Sequence, residues 1–240
     1  MILDEMKRFV RIFFEKRNRK DVNAYDHIIS LGYNCEVQFR FLKYFGFEDS
    51  NLFNWVSSHN IDLLLKTLKN FKKIGSGDFI GPNPISKLWT CAETSLIFHG
   101  KLEFIKGREI TEEDIKNDKE DLKGRVTYLK KKFLKYASNN KKKLYIYKIK
   151  NEDAKQGIIE KIKELKSLLI KLGAKNFQLL IVFEEKKSQF FNEEIENVIF
   201  RSVKYFAPDS AVTSKDCFDN GWDDIYKEFY VTNKYQNNRC

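Results

Sequence analysis

The chain has 240 residues, 42% of them hydrophobic and 32% charged, which is the composition of a globular protein long enough to bury a substantial core. With 3 Pro and 11 Gly, neither a collagen-like nor a disordered chain fits. The sequence has no long apolar run and no export signal, so we expect a cytoplasmic protein. The formal net charge of +10 favours anionic partners, without choosing among nucleic acid, lipid and phosphorylated glycans.

Residues 1–22 predict a basic amphipathic helix followed by a linker. Apolar residues recur with helical spacing from Ile2 to Phe13, and basic residues lie mostly between them. A helix of this kind either packs on its own domain or lies on an anionic membrane surface. The second alternative would give peripheral contact with the inner membrane surface through residues 1–20. We assign residues 23–240 to a single α/β domain.

The stretch from His27 to Gly46 predicts a buried strand that turns directly into a helix. "HIISLG" is short and β-branched, as buried strands are. From Cys35 onward the apolar spacing is helical, and Gly46 is a typical residue at the end of a helix. Cys35 is therefore expected at a strand-to-helix turn.

The middle of the chain predicts a helix, a loop and a strand. "NIDLLLKTLKNF" is helical in pattern, with Ser58 or Asn60 as its capping residue. "GSGDFIGPNP" predicts a loop, and "SLIFHG" predicts a strand that carries His99.

From Thr111 onward, helices and strands are predicted to alternate. Thr111 and Asp114 have the spacing of a capping box at the start of a long helix that reaches about Ala137. The later elements are a strand "KLYIYKI", a helix "GIIEKIKELKSLLIKLG", a strand "FQLLIVF", a helix "NEEIENVIFRSVKYF", a short strand "SAVTS" and a terminal helix "GWDDIYKEFY". This order predicts an α/β fold with a mostly parallel sheet and helices on both faces.

Cys35 is the cysteine whose predicted position suggests reactivity. The other cysteines are Cys91, Cys217 and Cys240, and no pair has the C-x-x-C spacing of zinc or redox sites, so we expect free thiols and no metal. In α/β sheets, ligands bind beyond the carboxyl ends of the strands, where Cys35 would lie. A helix start lowers the pKa of a thiol, and the amides of Asn34, Cys35 or Glu36 are expected to stabilise an oxyanion.

The stretch "IISLGYNCEVQFRFLKYFGFEDSNLFNWVSS" resembles the opening of a bacterial domain family described as papain-like cysteine peptidases. Members of that family have S-L-G-x-x-C, an amphipathic helix and then P-F-D-W. The matching residues here are Ser30, Leu31, Gly32 and Cys35, followed by Phe53 and Trp55. "LIFHG", the basic-aromatic run Lys130–Phe133 and "GWDDIY" extend the resemblance over residues 26–230.

The resemblance implies a thiol enzyme with Cys35 as nucleophile and His99 as general base. A histidine, with an ordinary pKa near 6.5, can accept the thiol proton and return it to the leaving group. His27 would begin the first strand of the domain, at the far end from Cys35, and His59 is the remaining rival.

The chain departs from the family pattern at the positions that would orient His99. Leu52 and Asn54 replace the proline and aspartate of P-F-D-W, and Gly100 follows His99 where the family tends to have an acidic residue. Asn54 could orient the histidine, as the asparagine of papain-like triads does. Other candidates are Asp216, Asp219 and Asp223.

Three functions follow from these residues. The first is a thiol hydrolase of peptidase or amidase type, which needs no cofactor. The second is an acyltransferase of bacterial surface polysaccharide (capsule) biosynthesis, with acyl-coenzyme A as co-substrate and an anionic, glycan-type acceptor. In that case Lys148 or Lys150, at a strand end, would bind phosphate. The third is a non-enzymatic basic binding module, although no nucleic-acid-binding motif is present and we do not expect nucleic acid as the partner.

Overall fold

The fold is described from a computed structural model, which covers residues 23–46, 50–54, 56–58, 60–208 and 220–231. The helix predicted in residues 1–22 and the strand predicted at 210–214 lie outside these ranges. The described strands are β1 (Asn23–Tyr25), β2 (His27–Ser30), β3 (Val56–Ser57), β4 (Phe79–Ile80), β5 (Trp89–Cys91), β6 (Ile97–Phe98), β7 (Lys143–Lys148), β8 (Phe177–Glu184), β9 (Val198–Val203) and β10 (Phe229–Val231). The described α-helices are α1 (Glu36–Phe45), α2 (Ile61–Lys69), α3 (Glu112–Ser138), α4 (Ile158–Lys171) and α5 (Trp222–Lys227).

A four-stranded parallel sheet in the order β2-β7-β8-β9 forms the centre of the fold. Side chains of successive residues in a strand point to opposite faces, so both faces are apolar and both need a cover. Ile29 and Tyr145 belong to a core that includes residues of α3 and α4, whereas Ile28 and Leu144 belong to a second core with residues of α1 and α5. The predicted α/β class, with a parallel sheet and helices on both faces, is confirmed.

A separate antiparallel sheet, in the order β3-β6-β5-β4, was not predicted. Its strands have only two or three residues, too few to show an alternating pattern in the sequence. One of them, β4, lies inside the stretch expected to be a loop. Phe79, Trp89 and Phe98 of this sheet are buried in the same core as the α3 side of the parallel sheet.

The helix predicted in "NEEIENVIFRSVKYF" is wrong. Residues Val198–Val203 form β9, which pairs with β8 so that Phe200 lies opposite Ile181. The residues of β9 are mostly half-buried, as is common at the edge of a sheet. Pairing with β8 outweighed the helical spacing that the apolar residues also fit.

Most other predicted boundaries are confirmed. Gly46 ends α1 in the left-handed conformation, with φ +76°. The Asn60 side chain accepts a hydrogen bond from the Leu63 amide at the start of α2, and Thr111 and Asp114 form the capping box of α3. The terminal helix α5 is shorter than predicted, because the chain continues into β10, which pairs in parallel with β1. Within the described residues, no helix combines the length and apolar character needed to cross a membrane.

Candidate active site

The turn between β2 and α1 is held in an unusual backbone conformation. The Leu31 amide donates to the Ile146 carbonyl, and then Gly32 and Tyr33 both have φ +87°. Such values cost little for glycine but are strained for tyrosine. The Tyr33 amide donates to Ser58 Oγ at 3.2 Å, and the Ser58 amide donates to the Tyr33 carbonyl at 3.2 Å. The segment around β3 therefore fixes the turn that presents Cys35.

Cys35 is the residue that immediately precedes α1, and it faces His99. The Cys35 Sγ atom lies 3.5 Å from His99 Nε2. His99 directly follows β6, so the antiparallel sheet brings the histidine to the carboxyl end of β2. The predicted pair of cysteine and histidine is therefore in contact, although the two residues are 64 positions apart.

Glu103 orients the histidine from its other side. Glu103 Oε2 and Oε1 lie 2.8 and 3.0 Å from His99 Nδ1. The carboxylate lies on a short 3₁₀ helix, Leu102–Phe104, that follows β6. A carboxylate at Nδ1 favours the tautomer in which Nδ1 carries the proton and donates a hydrogen bond to Glu103, so that the lone pair of Nε2 faces the thiol. The three side chains form a cysteine–histidine–carboxylate arrangement.

The segment that carries His99 is anchored on α3. Asp118 accepts hydrogen bonds from the Lys101 amide at 2.6 Å and from Trp89 Nε1 at 2.7 Å. The Arg125 guanidinium donates to the His99 carbonyl. A Cβ atom on Gly100 would overlap the Asp118 carboxylate and lie 2.9 Å from Trp89 Cδ1. Gly100, which departs from the family pattern, is thus required by the close approach of α3.

The pKa of the Cys35 thiol is raised, contrary to the expectation from its helix start. Burial, helped by the negative charge of Glu103 and opposed by Lys148, raises the pKa of the Cys35 thiol to about 12. Desolvation of the thiolate exceeds the benefit of the helix N-terminus. Cys35 is therefore a neutral thiol at neutral pH and needs a base to become a nucleophile.

Lys148 and Glu36, the residue after Cys35, form a buried ion pair. Lys148 Nζ lies 2.6 Å from Glu36 Oε2 and 3.0 Å from Asn34 Oδ1. The side chain of Lys148 has 0% exposure and that of Glu36 has 1%. This burial contradicts the expectation that Lys148 binds phosphate, because its ammonium group does not reach solvent. Lys150 is half-buried, with its Nζ atom 4.8 Å from the centroid of the Tyr33 ring.

The Glu36 carboxylate and the Asn34 side-chain oxygen hold the turn in place. Glu36 Oε1 accepts from the Ala207 amide at 3.0 Å and from Trp222 Nε1 at 3.1 Å, which ties the turn to the C-terminal helix. The Glu36 amide donates to Asn34 Oδ1 at 3.1 Å. The Glu36 amide, expected to stabilise an oxyanion, is therefore already hydrogen-bonded.

Asn54 does not occupy the position expected for it beside the histidine. Its side chain is buried and accepts a hydrogen bond from the Asn51 amide group, while the Nδ1 side of His99 is held by Glu103. Phe53 is a core residue whose ring packs at 5.4 Å against that of Phe133.

The remaining candidates for the site are placed elsewhere or lie outside the described residues. His27 begins β2, at the opposite end from Cys35 as expected, and stacks on Tyr136. Asp223 is exposed on α5. The candidates outside the described ranges are Trp55, His59, Asp216, Asp219, Cys217 and Cys240.

Glu103 is the site residue that the sequence analysis missed. The signal was its position four residues after His99, which brings two side chains together on one turn of helix-like chain. Comparisons of the chain with protein-family models, with curated proteins and with solved structures gave no match.

Proposed function

We propose that the protein is a cysteine-dependent acyl-transfer enzyme, a hydrolase of peptidase or amidase type, with Cys35 as nucleophile and His99 as general base. The observation that carries the proposal is the position of the His99 ring, with Nε2 3.5 Å from the thiol and Nδ1 2.8 Å from the Glu103 carboxylate. Nucleophile, base and orienting acid in this order are the arrangement that activates a weak nucleophile for attack on carbonyl carbon.

The first step begins from the neutral thiol. Cys35 Sγ attacks the carbonyl carbon of the substrate while His99 Nε2 takes the thiol proton, so that a C–S bond forms and the carbonyl electron pair moves to oxygen. The intermediate collapses as the leaving group departs with the proton from His99. Glu103 stabilises the positive charge that the imidazole carries between these two events.

The acyl-enzyme that remains has two possible fates. With water as acceptor, His99 removes a proton from the water as its oxygen attacks the thioester carbonyl, the C–S bond breaks, the carboxylic acid is released and the proton passes from His99 to the Cys35 sulfur. With a hydroxyl or amine as acceptor, the same step makes an ester or amide, and the enzyme is then an acyltransferase that uses acyl-coenzyme A. The net charge of +10 and the position of Lys150 beside the turn support an anionic substrate.

Formation of the acyl-enzyme tests the proposal. The wild-type protein is mixed with a p-nitrophenyl ester or with acetyl-coenzyme A, and the modified residue is located by mass spectrometry. We expect acylation at Cys35, lost in Cys35→Ala and lowered about 10²-fold or more in His99→Ala. Cys91→Ala is the matched control, because Cys91 is a buried free thiol in the core.

Two results would contradict acyl transfer: no acyl-enzyme with either donor, or acylation at the same rate in His99→Ala. Addition of an amine or a sugar alcohol to the acyl-enzyme then distinguishes the two acceptors. Release of free acid in their presence identifies a hydrolase, and transfer to the added molecule identifies an acyltransferase.

A further inference from the structure

The antiparallel sheet has an outer face that carries accessible apolar side chains. Buried and accessible residues alternate along its strands, because successive side chains point to opposite faces. The buried ones, such as Trp89 and Phe98, belong to the core shared with α3. Ile97 and Ile80 belong to neither of the two described cores. Ile97 and Thr90 are half-buried, and Ile80 is 63% exposed.

The strand register aligns these accessible residues in one row across the sheet. Ser57 pairs with Ile97, Ile97 with Thr90, and Thr90 with Ile80. We call these four residues the outer row. None of them is charged, although 32% of the chain is charged. The outer row is therefore a neutral and mostly apolar strip that solvent reaches.

The outer row begins beside the pair of Cys35 and His99. Ile97 precedes His99 by two residues, so both side chains lie on the same face of the sheet. His99 Nε2 lies 3.5 Å from Cys35 Sγ. At the end of the row, Ser57 Oγ donates to the Tyr33 carbonyl at 3.1 Å, within the turn that presents Cys35. The strip is thus continuous with the site of the proposed reaction.

We propose that the outer row binds the acyl chain of the substrate, which is an ester, thioester or amide of an unbranched fatty acid of about eight carbons. This inference rests on the proposed function of Cys35. The apolar part of the row, from Ile97 to Ile80, crosses two strand spacings, or about 10 Å. An extended alkyl chain of about eight carbons has about that length. Its carbonyl carbon then lies at Cys35 and its methyl end at Ile80.

The chemistry of a sheet face favours an alkyl chain over a peptide in this position. The N–H and C=O groups of strands lie in the plane of the sheet and bond to neighbouring strands, so the face offers side chains only. The Ser57 hydroxyl already donates to Tyr33. An alkyl chain needs no hydrogen bonds, and each methylene group that leaves water for Ile97 or Ile80 favours binding.

The chain-length preference of acylation tests the proposal. Acylation of Cys35 is measured with p-nitrophenyl octanoate and with p-nitrophenyl acetate, and the ratio of the two rates cancels changes in the reactivity of the thiol. In the wild type we expect octanoate to react about 10- to 100-fold faster. Ile97→Thr and Ile80→Thr keep the β-branch of the side chain and should each lower the ratio about three- to tenfold. Thr90→Val should raise it about two- to threefold.

Ile170→Thr is the matched control for Ile80→Thr. Ile170 is 52% exposed on α4, outside the outer row, so its variant should keep the wild-type ratio. Ile80 is exposed enough for its variant to fold, which keeps the test decisive if Ile97→Thr unfolds.

Three results separate failure of this inference from failure of the proposed function. Equal rates with the two esters in the wild type, or an unchanged ratio in Ile80→Thr, would overturn the acyl-chain site. Gel filtration that shows a wild-type dimer and an Ile80→Thr monomer with the wild-type ratio would assign the outer row to a second copy of the chain and would also overturn it. A wild-type protein that neither ester acylates would instead refute the proposed function.

Discussion

Glu103 Oε2 lies 2.8 Å from His99 Nδ1, on the side of the ring opposite to Cys35. The two residues are separated by one turn, and their side chains are 36% and 23% exposed, so both reach the surface at the site. A carboxylate in this position fixes the orientation and tautomer of the imidazole and stabilises its protonated form. It also raises the pKa of the Cys35 thiol. Removal of the Glu103 charge should therefore slow acylation of Cys35 and, at the same time, lower the pKa of its thiol.

Glu103→Gln should slow acylation of Cys35 by about 10²-fold, because the imidazolium that forms during attack loses its counter-charge. The same variant should lower the pKa of the Cys35 thiol, because a negative charge that disfavours the thiolate has been removed. The acylation rate is measured with an ester, and the pKa of the Cys35 thiol is measured on the same variant from the pH dependence of iodoacetamide labelling. Glu164→Gln, which removes a surface carboxylate paired with Lys69, is the control. A thiol pKa that rises in Glu103→Gln would contradict the assignment.

The Glu36–Lys148 pair should stabilise the fold only as a pair. Lys148→Met leaves the buried Glu36 carboxylate with Arg40 alone, whose Nε atom lies 3.9 Å from Oε1, and we expect the free energy of unfolding to fall by about 3 kcal/mol. In the double variant Glu36→Gln, Lys148→Met the carboxylate is neutral as well, so the free energy of unfolding should fall by less. Urea denaturation of the single and double variants measures the difference. An equal fall in the free energy of unfolding of the single and the double variant would show that the ion pair does not act as a unit.

Gly100→Ala should destabilise the protein by about 1–3 kcal/mol and reduce acylation, because the new methyl group forces Asp118 or the His99 segment to move. Gly124→Ala is the matched control. Gly124 lies on α3, with nothing within 4 Å of the added Cβ, so alanine should stabilise the helix by about 1 kcal/mol. Thermal unfolding of the two variants measures the change in stability, and their acylation rates measure the effect on Cys35. A neutral Gly100→Ala would mean that α3 does not constrain the loop.

Lys143 should make stability depend on pH. Its side chain is buried and donates to the carbonyls of Asn139 and Lys141, and burial lowers its pKa to about 8, against the attraction of Asp26. The unfolded chain keeps an ordinary lysine pKa of about 10.4. Between these values the unfolded state binds more protons, so the free energy of unfolding rises with pH.

The Lys143 contribution is measured as the difference between the wild type and Lys143→Met. We expect that difference to shift in favour of the wild type by about 2 kcal/mol from about pH 7.5 to about pH 9.5. The comparison is needed because the raised pKa of Cys35 acts in the opposite direction above about pH 9 in both proteins. A difference that is constant with pH would show that Lys143 titrates normally.

Local sequence patterns determined the elements that depend on local physics. The strand before Gly32, the helix from Glu36 to Gly46 and the capping box at Thr111 are specified by spacing and by capping residues within a few positions. The alternation of long strands and helices likewise predicted the parallel sheet. A family resemblance predicts Cys35 and His99 as a pair, and the structure places the two side chains in contact.

Tertiary structure decided what depends on distant contacts. β9 is a strand because β8 offers it a partner, although its apolar spacing also fits a helix. The short strands around β6, which bring His99 to Cys35, are too brief to leave a pattern. The protonation state of Cys35 follows from burial and from Glu103, so a position that predicts a low thiol pKa has a high one. Sequence fixes which groups are present, and packing fixes how much water and charge surround them.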